Sequence, residues 1–244
     1  ADYQRMRALV LTSIVAFAGC IHDVDLVPAP SAARVEGVKR AAYADVGGVH
    51  VTVRSDSWRG SPRDLEYRMT PLEISIENSS GRSLRLVYEN FELITKDGVH
   101  LSAIPPYNLD QDGPAARTEP SATVTLVDDR GPRRHRIEHR RFRVAPYYGR
   151  YYPGIPSWDL GMRGNWSWPY YGAHYADWPQ ALPTEDMLDE ALPEGSLESD
   201  GFVRGFVYFP TIKQKQGNVT FSVKMVDAET GESFGTVQIP FTVI

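Results

Sequence analysis

From residue 69 to residue 106 the chain reads as strands. Leu72, Ile74 and Ile76 alternate with Glu73, Ser75 and Glu77, the period of two that turns one face to a core and the other to water. The turn formers Asn78-Ser79-Ser80-Gly81 interrupt the pattern, and Leu84, Leu86 and Tyr88 resume it. Lys96-Asp97-Gly98 then separates residues 91–94 from 99–101, a hairpin in which glycine takes the positive φ. The whole stretch predicts a meander of antiparallel strands with one half-buried face.

The same period recurs on both sides. Val49, Val51 and Val53 alternate with His50, Thr52 and Arg54, and residues 122–127 and 202–210 are apolar runs of strand length. Val219, Phe221, Val223 and Met225 alternate, and residues 234–244 follow a turn at 228–232. The pattern lapses over residues 128–183. Thr184 as a cap, Glu185 and Asp186 in a first turn, and apolar residues at 187, 188, 191 and 192 predict a short helix. A second short helix is expected over residues 35–43. These elements predict a mainly β fold: a single antiparallel immunoglobulin-like β-sandwich of about eight strands over residues 46–244. A long aromatic-rich loop and one short helix, at 128–200, are inserted before its last three strands. The Cys…Trp…Cys spacing of true immunoglobulin domains is absent, so the likeness is one of architecture.

Composition narrows the class. With 42% hydrophobic residues in 244, the chain has enough apolar surface for a sizeable core, which excludes global disorder. A formal net charge of −5 argues against a dedicated nucleic-acid binder. A single cysteine excludes an intrachain disulfide.

That cysteine sits at a distinctive place. Arg5-Met6-Arg7 is followed by an uncharged apolar run at residues 8–18, shorter than the roughly 20 residues a membrane span needs. A basic start, an apolar centre and small residues before a cleavage point describe a secretory signal peptide over residues 1–19. Met6 is the expected start, with residues 1–5 as an upstream extension. Ala18-Gly19-Cys20 resembles the lipobox of bacterial lipoproteins, its one departure being Phe17, where that family most often carries Leu. The resemblance implies cleavage before Cys20, lipidation of its sulfur and membrane attachment through that lipid. Ile21 in place of Asp implies sorting to the outer membrane, facing the periplasm or the surface. Residues 20–45, with Pro28 and Pro30 and no sustained period, are expected to act as a tether. Residues 205–210, GFVYFP, follow Leu192-Pro193-Glu194-Gly195, and the whole arrangement resembles Gram-negative lipoproteins of uncharacterised role that carry an immunoglobulin-like domain. That resemblance spans about two-thirds of the chain. It implies a fold and a compartment, and no activity.

Several stretches are candidates for chemistry. Between residues 147 and 178 lie four of the five tryptophans and a run of tyrosines, among them Tyr151, Tyr152, Trp158, Trp166, Trp168, Tyr170 and Tyr171. Flat rings with polar tips stack on sugars or anchor protein partners, so an envelope protein or a glycan is the expected contact, although most rings are expected to pack on the body itself. Residues 130–143 carry seven arginines. Of these, Arg133, Arg134, Arg140 and Arg141 are candidates for holding lipid phosphates or another polyanion, against the plainer reading of a solvated edge. His135-Arg136-Ile137-Glu138-His139 matches H-x-x-E-H, but that zinc motif needs a helix, and Pro132 and the arginine-crowded flanks argue against both helix and cation. Asn108, Asp110, Asp112 and Glu119 follow calcium-loop spacing without helical flanks, and an acidic turn is the expectation. There is no G-x-S-x-G, P-loop, C-x-x-C or G-x-G-x-x-G pattern. The chain is expected to be a non-catalytic module without cofactor or metal, with lipid or lipopolysaccharide binding through the arginine run as the alternative and an envelope hydrolase as the lesser one.

Overall fold

The computed structural model describes residues 24–109, 137–146, 156, 182–213 and 217–244. Among them twelve strands in antiparallel pairs and one α-helix make a mainly β protein. The strands are Leu26–Pro28 (β1), Ala33–Arg34 (β2), Ala41–Val46 (β3), Val49–Arg54 (β4), Met69–Asn78 (β5), Leu84–Leu86 (β6), Phe91–Thr95 (β7) and His100–Ser102 (β8). Glu138–Val144 (β9), Gly195–Pro210 (β10), Asn218–Asp227 (β11) and Ser233–Val243 (β12) complete the set. The helix is Glu185–Glu190 (α1), and Thr184 caps it as expected, its Oγ1 accepting the Met187 N–H at 3.3 Å. It is too short to cross a membrane.

The sheet runs β1-β12-β11-β6-β10-β5-β4-β3-β2, with β7 beside β11, β8 beside β7 and β9 beside β10. Its ends approach each other. Ser55 Oγ, just past β4, donates to Leu26 O on β1 at 2.5 Å, and Arg40, just before β3, meets Asp25 at 2.6 Å. Gly235 on β12 lies so near β3 that a Cβ there would come within 2.6 Å of a Val46 methyl. The sheet is therefore nearly closed. Inside it, Val49, Val51 and Val53, Ile74 and Ile76, Val203 and Val207, Phe221 and Val223, and Ile239 and Phe241 join one buried cluster. Each such side chain contributes about 1.5–3 kcal/mol by leaving water.

A second cluster forms on the outer face. Phe206 and Tyr208 on β10 point away from Val207 and Phe209, and Trp58, Leu65, Ile104, Leu109, Leu182 and Met187 cover them. Trp58 packs edge-on against Phe206 at 5.2 Å and Tyr208 at 6.0 Å, while Tyr208 Oη donates to Met187 O at 2.9 Å. Main-chain bonds hold this cover down, Ile104 N to Tyr208 O and Leu192 N to Phe206 O, both at 2.7 Å.

Several expectations are corrected. The described strands number twelve, and the sheet begins at Leu26: residues 26–45, read as a tether, supply β1, β2 and most of β3. Strands of three and two residues show too few alternations to be seen as a period. The helix expected at 35–43 is a turn followed by a strand, because Gly37 takes φ +75° and Ala42 and Tyr43 pair with Val53 and Thr52. The stretch 128–200 is not wholly an insertion, since it contains β9 and the start of β10.

The meander is also replaced. β5 pairs with β4 and β10, and β6 with β10 and β11; within this stretch only β7 and β8 form a hairpin of sequence neighbours. The turn formers at 78–81 do not reverse the chain. β5 lines residues 201–210 of β10, and β6 continues along residues 195–197. The kink between them lies beside an irregularity in β10 between Leu197 and Phe202. Asn78, fully buried, fills the gap: its amide donates to Arg82 O, Leu197 O and Glu198 O at 2.7, 3.0 and 3.1 Å, and its Oδ1 accepts the Ser80 N–H at 3.1 Å. One side chain thus satisfies carbonyls that the interrupted ladder leaves free.

The β11–β12 turn, in contrast, is a plain hairpin. Asp227 Oδ1 accepts the Glu229 and Thr230 N–H groups at 2.8 and 3.0 Å. The bond from Thr230 is the main cause holding its pKa below the ordinary aspartate value. The bonded form is the carboxylate. Its contribution is therefore present above the unfolded pKa of about 3.9 and is lost as pH falls through the lower folded value. Asp227→Ala should cost about 1 kcal/mol at neutral pH and flatten the stability slope below about pH 4, read by urea unfolding across that range.

Candidate functional site

Beyond the cover, the outer face of β3, β4, β5, β10 and β9 is polar. Register sets opposite charges side by side: Arg54 faces Glu73 across β4 and β5, and Arg204 faces Glu138 across β10 and β9. Glu73 accepts a short hydrogen bond from Arg204 Nε and lies 3.7 Å from Arg54 Nη1, while Arg204 Nη1 lies 3.7 Å from Glu138. Four strands are thereby laced together by one ladder of alternating charge. Where the ladder meets the cover there is a cleft of about 300 Å³, lined by Glu73, Glu138, Glu190, Arg204, Gly205 and Phe206. Its ionic groups are largely spent on one another, so it offers shape and hydrogen-bond acceptors more than net charge.

On the same face the β3–β4 hairpin carries a chain of hydrogen bonds. Asp45 Oδ1 lies 2.7 Å from His50 Nδ1, and His50 Nε2 lies 3.2 Å from Thr52 Oγ1. The Tyr43 ring rests against the imidazole at 5.1 Å. Carboxylate, imidazole and hydroxyl in this order are the parts of an acid–base relay, and an ionised Asp45 favours the tautomer with the proton on Nδ1. Here the hydroxyl sits two residues from the histidine on one flat strand, and the relay is not among the residues lining the cleft. What it does is fix the ring's orientation. Sequence reading passed over it, although Gly47-Gly48, with φ of +59° and +83°, is the two-residue turn that sets the register.

The predicted site residues fare unequally. Cys20, Tyr151, Tyr152, Trp158, Trp166, Trp168, Tyr170, Tyr171, Arg133 and Arg134 lie outside the described residues, as do Asp110, Asp112, Glu119 and His135. Asn108 falls in the 3-10 turn Pro106–Leu109. Arg140 and Arg141 are exposed on β9, but both are engaged with the nearby turn of β10. Arg140 Nε donates to Asp200 O at 3.2 Å, and Arg141 Nη1 donates to Ser199 O at 3.0 Å and Asp200 Oδ2 at 3.4 Å. Arg143 adds a 2.8 Å ion pair with Glu198. This places the two described arginines as props of an irregular strand pair. Glu138 and His139 lie on β9, so the described end of H-x-x-E-H is extended where the zinc motif needs a helix. His139 is exposed on β9, and partial desolvation there lowers its pKa.

The roots of the aromatic stretch are fixed in place. At its start Ala145 N donates to Glu194 O at 2.8 Å and Val144 N to Pro156 O at 2.9 Å; at its end Leu182 is buried within the cover. Comparison with known proteins finds no matching family model, no curated protein and no solved structure.

Proposed function

We propose that this chain is a lipid-anchored protein of the bacterial envelope, at the outer membrane, whose immunoglobulin-like β-sandwich serves as a non-catalytic binding or structural module. The observation that carries the reading is the sole cysteine, Cys20, placed directly after Ala18-Gly19 and a short apolar run. A diacylglyceryl group on its sulfur and an acyl chain on its nitrogen would anchor the chain permanently, at about 0.8 kcal/mol per buried CH₂. The sandwich reading draws support from one buried core to which β4, β5, β7, β10, β11 and β12 all contribute.

Contact with an envelope protein or glycan is assigned to the Tyr/Trp stretch. Support comes from its roots, one hydrogen-bonded at the end of β9 and the other buried in the cover over β10, the usual setting for a binding loop. The test is crosslinking in intact envelopes, with wild type beside a chain carrying Trp158→Ala, Trp166→Ala and Trp168→Ala. A partner captured by wild type and lost from the folded, lipidated variant is the expected result. Identical capture by both would overturn the assignment and leave Arg133 and Arg134, as binders of lipid phosphate, next to be examined.

A further inference from the structure

The tether is short, and that has a geometric consequence. Val24, the first described residue, is four peptide steps from Cys20, a reach of at most ~14 Å even when fully extended. The body therefore cannot stand far from the bilayer, and the end that bears Val24 must be its near end. β1 starts there beside the end of β12, with Asp25 and Ile244 exchanging both main-chain bonds at 3.1 and 2.9 Å. The β7–β8 turn is at the same end, since Lys96 N donates to Asn218 O at 3.0 Å. So is the start of β5: Met69, Thr211 and Ile212 line one small cavity with Val24 and Asp25.

This end has its own surface chemistry. The large apolar side chains most exposed among the described residues are Tyr67 at 53%, Val99 at 52% and Ile244 at 58%. All three lie here: Val99 in the β7–β8 turn, Ile244 beside Asp25, and Tyr67 two residues before β5. Lys39, Lys96 and Lys213 are exposed around them, together with Glu36, Asp64 and Asp97, so the end mixes both charges. The opposite end shows the β11–β12 turn with exposed Glu229 and Glu232. Singly exposed apolar residues are ordinary. Their gathering at the end nearest the lipid, with lysines among them whose stems can lie along an apolar boundary, suits a surface resting on headgroups.

We propose that this end, marked by Tyr67, Val99 and Ile244, is a membrane-contacting face that holds the body upright on phospholipid headgroups. The inference rests on the anchoring reading above. It sets the β11–β12 turn, at the opposite end of the described sheet, about 30 Å from the bilayer, because β5 alone spans ten residues.

The test uses the full chain, processed in a Gram-negative host and reconstituted in vesicles of phosphatidylethanolamine and phosphatidylglycerol. Asp97→Cys and Glu229→Cys, both on exposed turns, each receive a bimane label, and quenching by brominated phospholipid is measured. The label at 97 should be quenched at least about threefold more than that at 229, since only the former lies within reach of the headgroup boundary. Val99→Ser with Ile244→Ser should remove most of that difference. Equal quenching at the two positions, or stronger quenching at 229, on a chain whose mass shows acylated Cys20 overturns the contact face alone. An unmodified Cys20 in the same mass spectrum overturns the anchoring reading and the inference with it.

Discussion

Replacing Gly195 by alanine is expected to leave little folded protein. Gly195 opens β10 between Leu86 on β6 and Val144 on β9. A Cβ there would lie 2.1 Å from Arg143 O and 2.8 Å from Phe142 Cζ. The first neighbour is backbone within a paired strand and the second belongs to a fully packed ring, so neither can yield without parting β9 from β10. Overpacking ordinarily costs about 1–3 kcal/mol, and a clash with main chain belongs at or beyond the top of that range. Against a total stability of about 5–15 kcal/mol such a loss is large. Gly81→Ala is the matched control: φ is +75° but nothing lies within 4 Å, so only the left-handed backbone is penalised, at about 1–2 kcal/mol. Chemical denaturation of the two variants should separate them clearly. Equal midpoints would mean that β9 does not lie against Gly195 as described.

Trp58→Ala should be almost as damaging, by a different route. The indole is 4% exposed and packs edge-on against two rings of β10. Its Nε1 also donates to Pro62 O at 2.9 Å. Truncating a buried tryptophan costs about 3–5 kcal/mol. Trp58→Phe keeps most of the packing and removes one of two donors to the Pro62 carbonyl, which still accepts the Leu65 N–H at 3.2 Å, so the loss should be nearer about 1 kcal/mol. The damage should appear first in the cover. Hydrogen exchange at the Ile104 and Leu192 amides, both bonded to β10 carbonyls, should accelerate more than exchange at Phe221 in the main core. Uniform acceleration would show that the two clusters open as one unit.

Much of this architecture was legible wherever strands are long and one-sided. Val49/Val51/Val53 and Leu72/Ile74/Ile76 face the core as their alternation requires. Gly98 takes its positive φ of 77° in the β7–β8 turn, and Thr184 caps α1. Short strands escaped notice: β1 and β2 carry one or two alternations each, and β1 pairs with β12, at the far end of the sequence. The path after β5 escaped for another reason. Asn78-Ser79-Ser80-Gly81 has the composition of a reversing turn, yet the buried Asn78 amide binds carbonyls from residues more than a hundred positions away. A local motif cannot reveal such a partner.

The polar face was less legible still. Glu73, Glu138 and Arg204 come from three separated strands, and only register brings them together. Asp45, His50 and Thr52 are close in sequence, but their bonding needs the Gly47-Gly48 hairpin to be placed first. Arg140 and Arg141, chosen for their charge, turn out to brace the irregular turn at 198–200, because an interrupted ladder leaves carbonyls that a guanidinium can reach.

Anchoring through Cys20 is tested most directly by the intact mass of the chain extracted from membranes of a Gram-negative host. The expected result is a protein that begins at Cys20 and carries a diacylglyceryl group on sulfur and an acyl chain on nitrogen, with Cys20→Ser abolishing the modification and releasing the body from the membrane fraction. A membrane-extracted chain with an unmodified Cys20 thiol would contradict the account.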